Sequence, residues 1–159
     1  MPVRIGICDD SEEDIRELSE ALYKYDPTFR VSVYTNGESL LGDLEEKRIL
    51  FDILFLDIYM PVFNGVEIAK KLHTGMENTK IVFITSSNEH YPDVYDVFAF
   101  NYILKPLNVD KLYLVLDKAL AGIAEERRQQ ISFKYKSSSY RVFCKDILYI
   151  ESRDKTIYF

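Results

Sequence analysis

Asp52-Ile53-Leu54-Phe55-Leu56-Asp57 sets four consecutive apolar residues between two aspartates. An uninterrupted apolar run of this length is what a central strand needs when helices cover both faces of its sheet. Lys80 to Ser86 repeats the pattern around Ile81-Val82-Phe83-Ile84, and Val3 to Asp9, Phe29 to Thr35 and Asn101 to Lys105 read as three more strands. Successive strand starts lie 26, 23, 28 and 21 residues apart. Each interval leaves room for the crossover that parallel neighbours require and far exceeds a hairpin. Five βα units in a row predict an α/β fold with a doubly wound, five-stranded parallel sheet in the order 2-1-3-4-5.

Helical spacing fills the intervals. Ser11 is placed to cap a first helix carrying Ile15, Leu18, Leu22 and Tyr25, with Asp14 at its third position. Leu40, Leu41 and Leu44 mark a second helix, Val66, Ala69 and Leu72 a third, and Tyr91, Val94, Tyr95 and Phe98 a fourth. Val109, Leu112, Leu116, Ala119 and Ile123 mark a long fifth helix, expected to continue through Glu125-Glu126-Arg127-Arg128 as a stiff connector.

Around this pattern the chain has 159 residues, 47% apolar and 29% charged, with a formal charge of −6. Such values exclude disorder, collagen and a disulfide scaffold. Cys8 and Cys144 have neither disulfide-framework nor metal-ligand spacing, and no apolar run approaches a membrane span. With no leader pattern after Met1, a cytoplasmic protein without membrane attachment is expected. Charge divides unevenly: −9 over residues 1–124, balance over 125–130 and +3 over 131–159. These three stretches are read as a first domain, a helical linker and an incomplete second domain. The last stretch changes period: Ile131, Phe133 and Tyr135 alternate with polar residues, Ser137-Ser138-Ser139 reads as a turn, and Tyr140 to Cys144, Ile147 to Glu151 and Thr156 to Phe159 read as further strands. A partial antiparallel β segment is the expectation, with the chain stopping inside the second domain.

An open parallel sheet binds ligands beyond the carboxyl ends of its strands. Asp9 and Asp10 follow the first strand there, Asp57 the third, Thr85 and Ser86 the fourth and Lys105 the fifth. The order 2-1-3-4-5 makes the first and third strands neighbours and brings Asp57 beside Asp9 and Asp10. Carboxylates about 5 Å apart repel by about 3 kcal/mol per pair at an effective dielectric near 20. Either a proton is taken up or a cation compensates them. An all-oxygen site open to water suits Mg²⁺ or Mn²⁺, which Lys105, a donor only, cannot replace. A carboxylate held between such an ion and an ammonium is equipped to attack phosphorus and become an acyl phosphate.

These residues, with Leu56-Asp57-Ile58-Tyr59-Met60-Pro61, Gly65, Thr85-Ser86 and Lys105-Pro106 in order, resemble the receiver domain of two-component response regulators, a flavodoxin-like fold, over Val3 to about Ala121. The resemblance implies that Asp57 accepts a phosphoryl group from a histidine kinase. It implies that Asp9, Asp10, Asp57 and the Tyr59 carbonyl hold Mg²⁺, and that Thr85, Ser86 and Lys105 contact the phosphoryl group. Pro61 and Gly65 shape the loop, Pro106 follows a cis bond, and Thr85 and Tyr102 form the switch. Receivers pair through the fourth helix, fifth strand and fifth helix, so a dimer through that face is implied. Asp146-Ile147-Leu148-Tyr149-Ile150-Glu151-Ser152 resembles the opening of a LytTR DNA-binding domain, which implies promoter DNA as a partner of the full-length protein. The tail's +3 against −9 predicts weak DNA binding at best for this chain. Tyr59 and Ser87 occupy positions that tune phosphate lifetime in receivers.

Plainer readings stand beside these. Singly, Asp9-Asp10 make a solvated turn, Pro61 and Gly65 loop punctuation, and Tyr102 a half-buried aromatic. Arg153 and Lys155, candidate DNA contacts, read alone as a polar turn, and His73 and His90 as surface residues. Three other functions compete with the phospho-accepting DNA regulator. An aspartyl-nucleophile phosphatase would show D-x-D after the first strand, where Asp9 is followed by Asp10 and Ser11. A dinucleotide or flavin module would show a Gly-rich turn there. A stand-alone receiver would act by protein contact alone. The reading adopted is a signalling switch that is not an enzyme toward external substrates.

Overall fold

A computed structural model of the chain describes residues 2–46, 49–73, 78–86, 99–136, 138–144, 147, 151–153 and 156–158. The helix expected at Tyr91, Val94, Tyr95 and Phe98 falls outside the described residues, as do Ser87, His90, Asp146, Tyr149 and Lys155. Contacts divide the chain into two units, Met1–Ala119 and Leu120–Phe159.

In the first unit β1 (Arg4–Cys8), β2 (Arg30–Tyr34), β3 (Ile53–Leu56), β4 (Lys80–Thr85) and β5 (Asn101–Leu104) form one sheet in the order β2-β1-β3-β4-β5. Every neighbouring pair is parallel. The order and direction are those expected from the spacing of the apolar runs. The described helices are α1 (Glu12–Tyr25), α2 (Gly37–Glu46), α3 (Gly65–His73) and α4 (Val109–Arg128), the last being the helix expected fifth from the sequence.

Side-chain caps start each of the four described helices, because the first amides of a helix have no partner within it. Ser11 Oγ accepts from the Asp14 amide at 3.3 Å. Asn36 Oδ1 accepts from Ser39 at 2.8 Å, and Asn108 Oδ1 from Lys111 at 2.9 Å. Asn64 and Glu67 cap each other's amides at 2.8 and 3.2 Å, a reciprocal box that sets α3 directly after the β3 loop.

Alternation along each strand sends one set of side chains to each face. Gly6, Cys8, Leu54, Leu56, Ile81, Phe83 and Tyr102 share a face through the strand registers, and most of them pack with Leu40 and Leu44 of α2 and Val66, Ala69 and Leu72 of α3. Ile5, Ile7, Ile53, Phe55, Val82 and Ile103 form the opposite, equally buried set. On α1 and α4, Tyr25 and Tyr113 meet edge to face at 5.0 Å, and the Tyr25 hydroxyl donates to Asp117. Burial of every residue in β3 explains why that strand reads as continuously apolar.

The second unit corrects one expectation, the place of its turn. By contacts the second unit begins at Leu120, inside α4. α4 runs on through Glu125 to Arg128, the helical continuation expected there, and β6 (Gln130–Tyr135) begins after Gln129. The turn expected at Ser137-Ser138-Ser139 lies earlier, since Ser138 and Ser139 belong to β7 (Ser138–Phe143) and pair with Tyr135 and Lys134. Lys136 takes the left-handed conformation, φ 54°, that a tight reversal requires, while Phe133 and Tyr140 stack across the pair at 5.5 Å. β8 (Glu151–Arg153) and β9 (Thr156–Tyr158) form a separate two-stranded antiparallel sheet, and Arg153 lies in β8. Among the described residues, no helix is long and apolar enough to cross a membrane.

Candidate functional site

The sheet ladders deliver the site. The Asp57 amide donates to the Cys8 carbonyl at 2.9 Å and the Asp9 amide to the Tyr34 carbonyl at 3.1 Å, so both aspartates extend the strand pairing by one residue and emerge side by side. The Lys105 amide donates to the Thr85 carbonyl at 2.8 Å, fixing the ends of β4 and β5 in the same way. Asp9, Asp10 and Asp57 each offer an oxygen, all within 4.8 Å of one another. Asp9 and Asp57 are buried, while Asp10 is exposed.

The Lys105 ammonium sits among these groups. It donates to Asp57 Oδ2 at 3.0 Å, lies 2.8 Å from Asp9 Oδ2 and reaches Asp14 Oδ2 at 2.6 Å. Burial alone would lower its pKa, but the bonds to Asp14, Asp9 and Asp57 outweigh that and raise it above the ordinary lysine value. Burial raises the Asp9 carboxyl above its usual range, although Lys105 and the Ser11 amide, which donates to Asp9 Oδ1 at 2.9 Å, pull the other way. Burial, followed by the charges of Asp9, Asp57 and Asp10, pushes the Cys8 thiol up to about 12, so it stays protonated at neutral pH and donates to Met60 Sδ at 3.7 Å. One ammonium among four carboxylates leaves the site negative. Its oxygen donors fit a hard divalent ion, which would settle the three closely set carboxylates.

Thr85 is fully buried, and among the described residues its Oγ1 finds no hydrogen-bond partner. A buried hydroxyl left unpaired costs about 1–3 kcal/mol. Such a group at a strand end fits an acceptor that arrives from outside. Ser86, the next residue, is exposed. Tyr102 is buried in the α2/α3-side core rather than half-buried, because β4 and β5 register it beside Phe83.

The loop after β3 frames the acceptor side. The Tyr59 amide donates to Asp57 Oδ1 at 3.2 Å, and the Tyr59 side chain is 41% exposed. Gly65 packs so closely that a Cβ there would overlap the Asp57 carbonyl, and its amide donates to Ile58 at 3.0 Å. Only glycine permits this approach. Pro61 is exposed, and the Lys105-Pro106 bond is cis.

Asp14 is the site residue the sequence reading missed, having been assigned only a place in the first turn of α1. A signal was present: Asp14 lies four residues before the buried Leu18, on the stripe of α1 that faces the sheet, one turn from the end of β1.

A five-stranded sheet in this order, with acidic groups, a hydroxyl and a lysine converging at its carboxyl edge, defines the receiver class. Residues 5–117 match the response regulator receiver domain, and the chain belongs to that family. It is 29% identical over 125 residues to the Transcriptional regulatory protein YpdB of Escherichia coli, covering 79% of this chain and 50% of that protein. It is also 29% identical over 120 residues to the Sensory transduction protein LytT of Oceanobacillus iheyensis, covering 74% of this chain and 48% of that one. The crystal structure of the response regulatory domain of protein mrkE from Klebsiella pneumoniae superposes with a TM-score of 0.71 at 27% identity, covering 77% of this chain and 99% of that one. The chain spans about half the length of the curated relatives it matches.

Proposed function

We propose that the chain is the phospho-accepting part of a two-component response regulator, taking a phosphoryl group from a histidine kinase onto Asp57 in the cytoplasm. The observation that carries this reading is the convergence at one sheet edge of three carboxylate oxygens, the Lys105 ammonium on Asp57 and the Thr85 hydroxyl, which has no partner among the described residues.

In the transfer, the donor's P–N bond breaks as a P–O bond forms to an Asp57 oxygen; the imidazole nitrogen keeps the electron pair and takes a proton. Asp9, Asp10, Asp57 and the Tyr59 carbonyl would hold Mg²⁺ or Mn²⁺, which supplies charge dispersal over the phosphoryl oxygens. Lys105 offsets the second negative charge that arrives on Asp57, and Thr85 and Ser86 donate to the new oxygens. The Tyr59 amide holds Asp57 by one oxygen and leaves the carboxylate fixed in orientation. In this reading the Tyr59 side chain slows water at the acyl phosphate, the chemistry is confined to Asp57 and no external phosphomonoester is turned over.

The output is transcriptional. A relative named as a transcriptional regulatory protein and the LytTR-like tail both support a DNA-binding output, with Arg153 and Lys155 among its candidate contacts. The test is incubation with acetyl phosphate and Mg²⁺ followed by intact mass. One added HPO₃ is expected on the wild type and none on Asp57→Asn; an adduct on both would move the acceptor elsewhere.

A further inference from the structure

All three N–H donors of the Lys105 ammonium have carboxylate partners, and the one closest to Nζ, at 2.6 Å, is Asp14 rather than either buried aspartate. Asp14 differs from its companions: its side chain is 37% exposed against 8% for Asp9 and 6% for Asp57, and it belongs to a helix rather than a strand end. A small pocket lined by Asp14, Glu17 and Leu18 of α1 and by Ile84 and Leu107 opens beside the contact, giving the carboxylate room to turn away.

We infer that Asp14 is a positioning residue that holds the Lys105 ammonium toward α1 and, by neutralising part of its charge, sets the site's balance between divalent cation and phosphoryl group. The inference rests on the reading of Asp57 as acceptor. An ammonium shared with Asp14 repels a dication less, so Asp14 favours metal binding. The same sharing weakens what Lys105 can give to an anion on Asp57, and the Asp14 charge itself repels that anion. Asp14 therefore pushes the two ligands in opposite directions. A residue that merely stabilised the first turn of α1 would push them in the same one.

The experiment measures two affinities on the full chain by titration calorimetry: Mg²⁺ alone, and the phosphoryl mimic beryllofluoride at saturating Mg²⁺. Asp14→Asn is expected to weaken Mg²⁺ and tighten beryllofluoride, each by roughly two- to fivefold, the scale of a partly exposed charge contact. Asp14→Glu, which keeps the charge, should restore both toward wild type. Glu13→Gln removes an equal charge from the same exposed turn and should show less than half of either effect. Equal shifts in Glu13→Gln and Asp14→Asn, two affinities that fall together, or two that do not move would each overturn the inference. Those results leave the acceptor reading standing, whereas a wild type that fails to bind beryllofluoride at saturating Mg²⁺ overturns that reading and this one with it.

Discussion

Thr85 and Val62 show two ways in which single residues of this site depart from the most stable choice. Thr85 keeps a fully buried hydroxyl without a partner among the described residues. Replacing it with alanine removes the unpaired group, so Thr85→Ala should leave the unfolding free energy unchanged or raise it by about 1 kcal/mol in urea titrations. The same variant should bind beryllofluoride more weakly, because the donor meant for the phosphoryl oxygens is gone. Weaker folding together with unchanged binding would show that the hydroxyl serves the core instead. Val62 sits at φ 71° in the β3–α3 loop, with its side chain 79% exposed. A β-branched residue in the left-handed region is strained and here gains no burial in return. Val62→Gly should therefore stabilise the fold by about 1 kcal/mol in the same titration.

Among the elements, α1 makes contacts at both of its ends. Its first turn reaches Lys105 through Asp14, and its last turn reaches α4 through Tyr25, whose hydroxyl donates to Asp117. That bond, with burial and the charges of Asp117 and Asp26, raises the Tyr25 phenol from 10.0 to about 12. Because the folded value lies above the unfolded one, the contribution is fully present below pH 10 and is lost as pH rises through about 12. The Tyr25–Asp117 bond itself is exposed, so screening keeps the effect small. Tyr25→Phe should cost roughly 1 kcal/mol at neutral pH. The gap from wild type should close as pH rises from 10 toward 12, read from chemical denaturation at each pH. A gap that does not change with pH would show that the protonation-dependent bond to Asp117 is not its source.

For the whole molecule, phosphorylation replaces a single carboxylate charge with close to two at the sheet edge. The proposed consequence is pairing of receivers through the face that includes β5 and α4. β5 is an edge strand, and Leu104 on it and Leu114 on α4 are 42% and 62% exposed. Apolar side chains left in water on such a face gain by meeting a second copy. Sedimentation should give a higher mass with beryllofluoride and Mg²⁺ than without, and Asp57→Asn should show no such increase. If the proposed transcriptional output holds, joining two receivers would raise the effective concentration of the two proposed DNA-binding domains on one duplex.

The five strands, their parallel order and the positions of Asp9, Asp10, Asp57, Thr85 and Lys105 at the strand ends were legible in the chain, because apolar runs and crossover lengths are local patterns. The cap of α1 at Ser11 and the buried stripe through Ile15, Leu18 and Leu22 were legible for the same reason. Tertiary structure alone decided that Asp14 takes a share of Lys105, that the Thr85 hydroxyl has no partner among the described residues and that Tyr102 turns into the core. Each depends on how far a helix is rotated over the sheet or on which neighbour a strand registers against, and no local pattern carries that information. The hairpin between β6 and β7 was misplaced on the same ground: three serines suit a turn anywhere, and only pairing across the strands, with Phe133 against Tyr140, settles where the chain reverses.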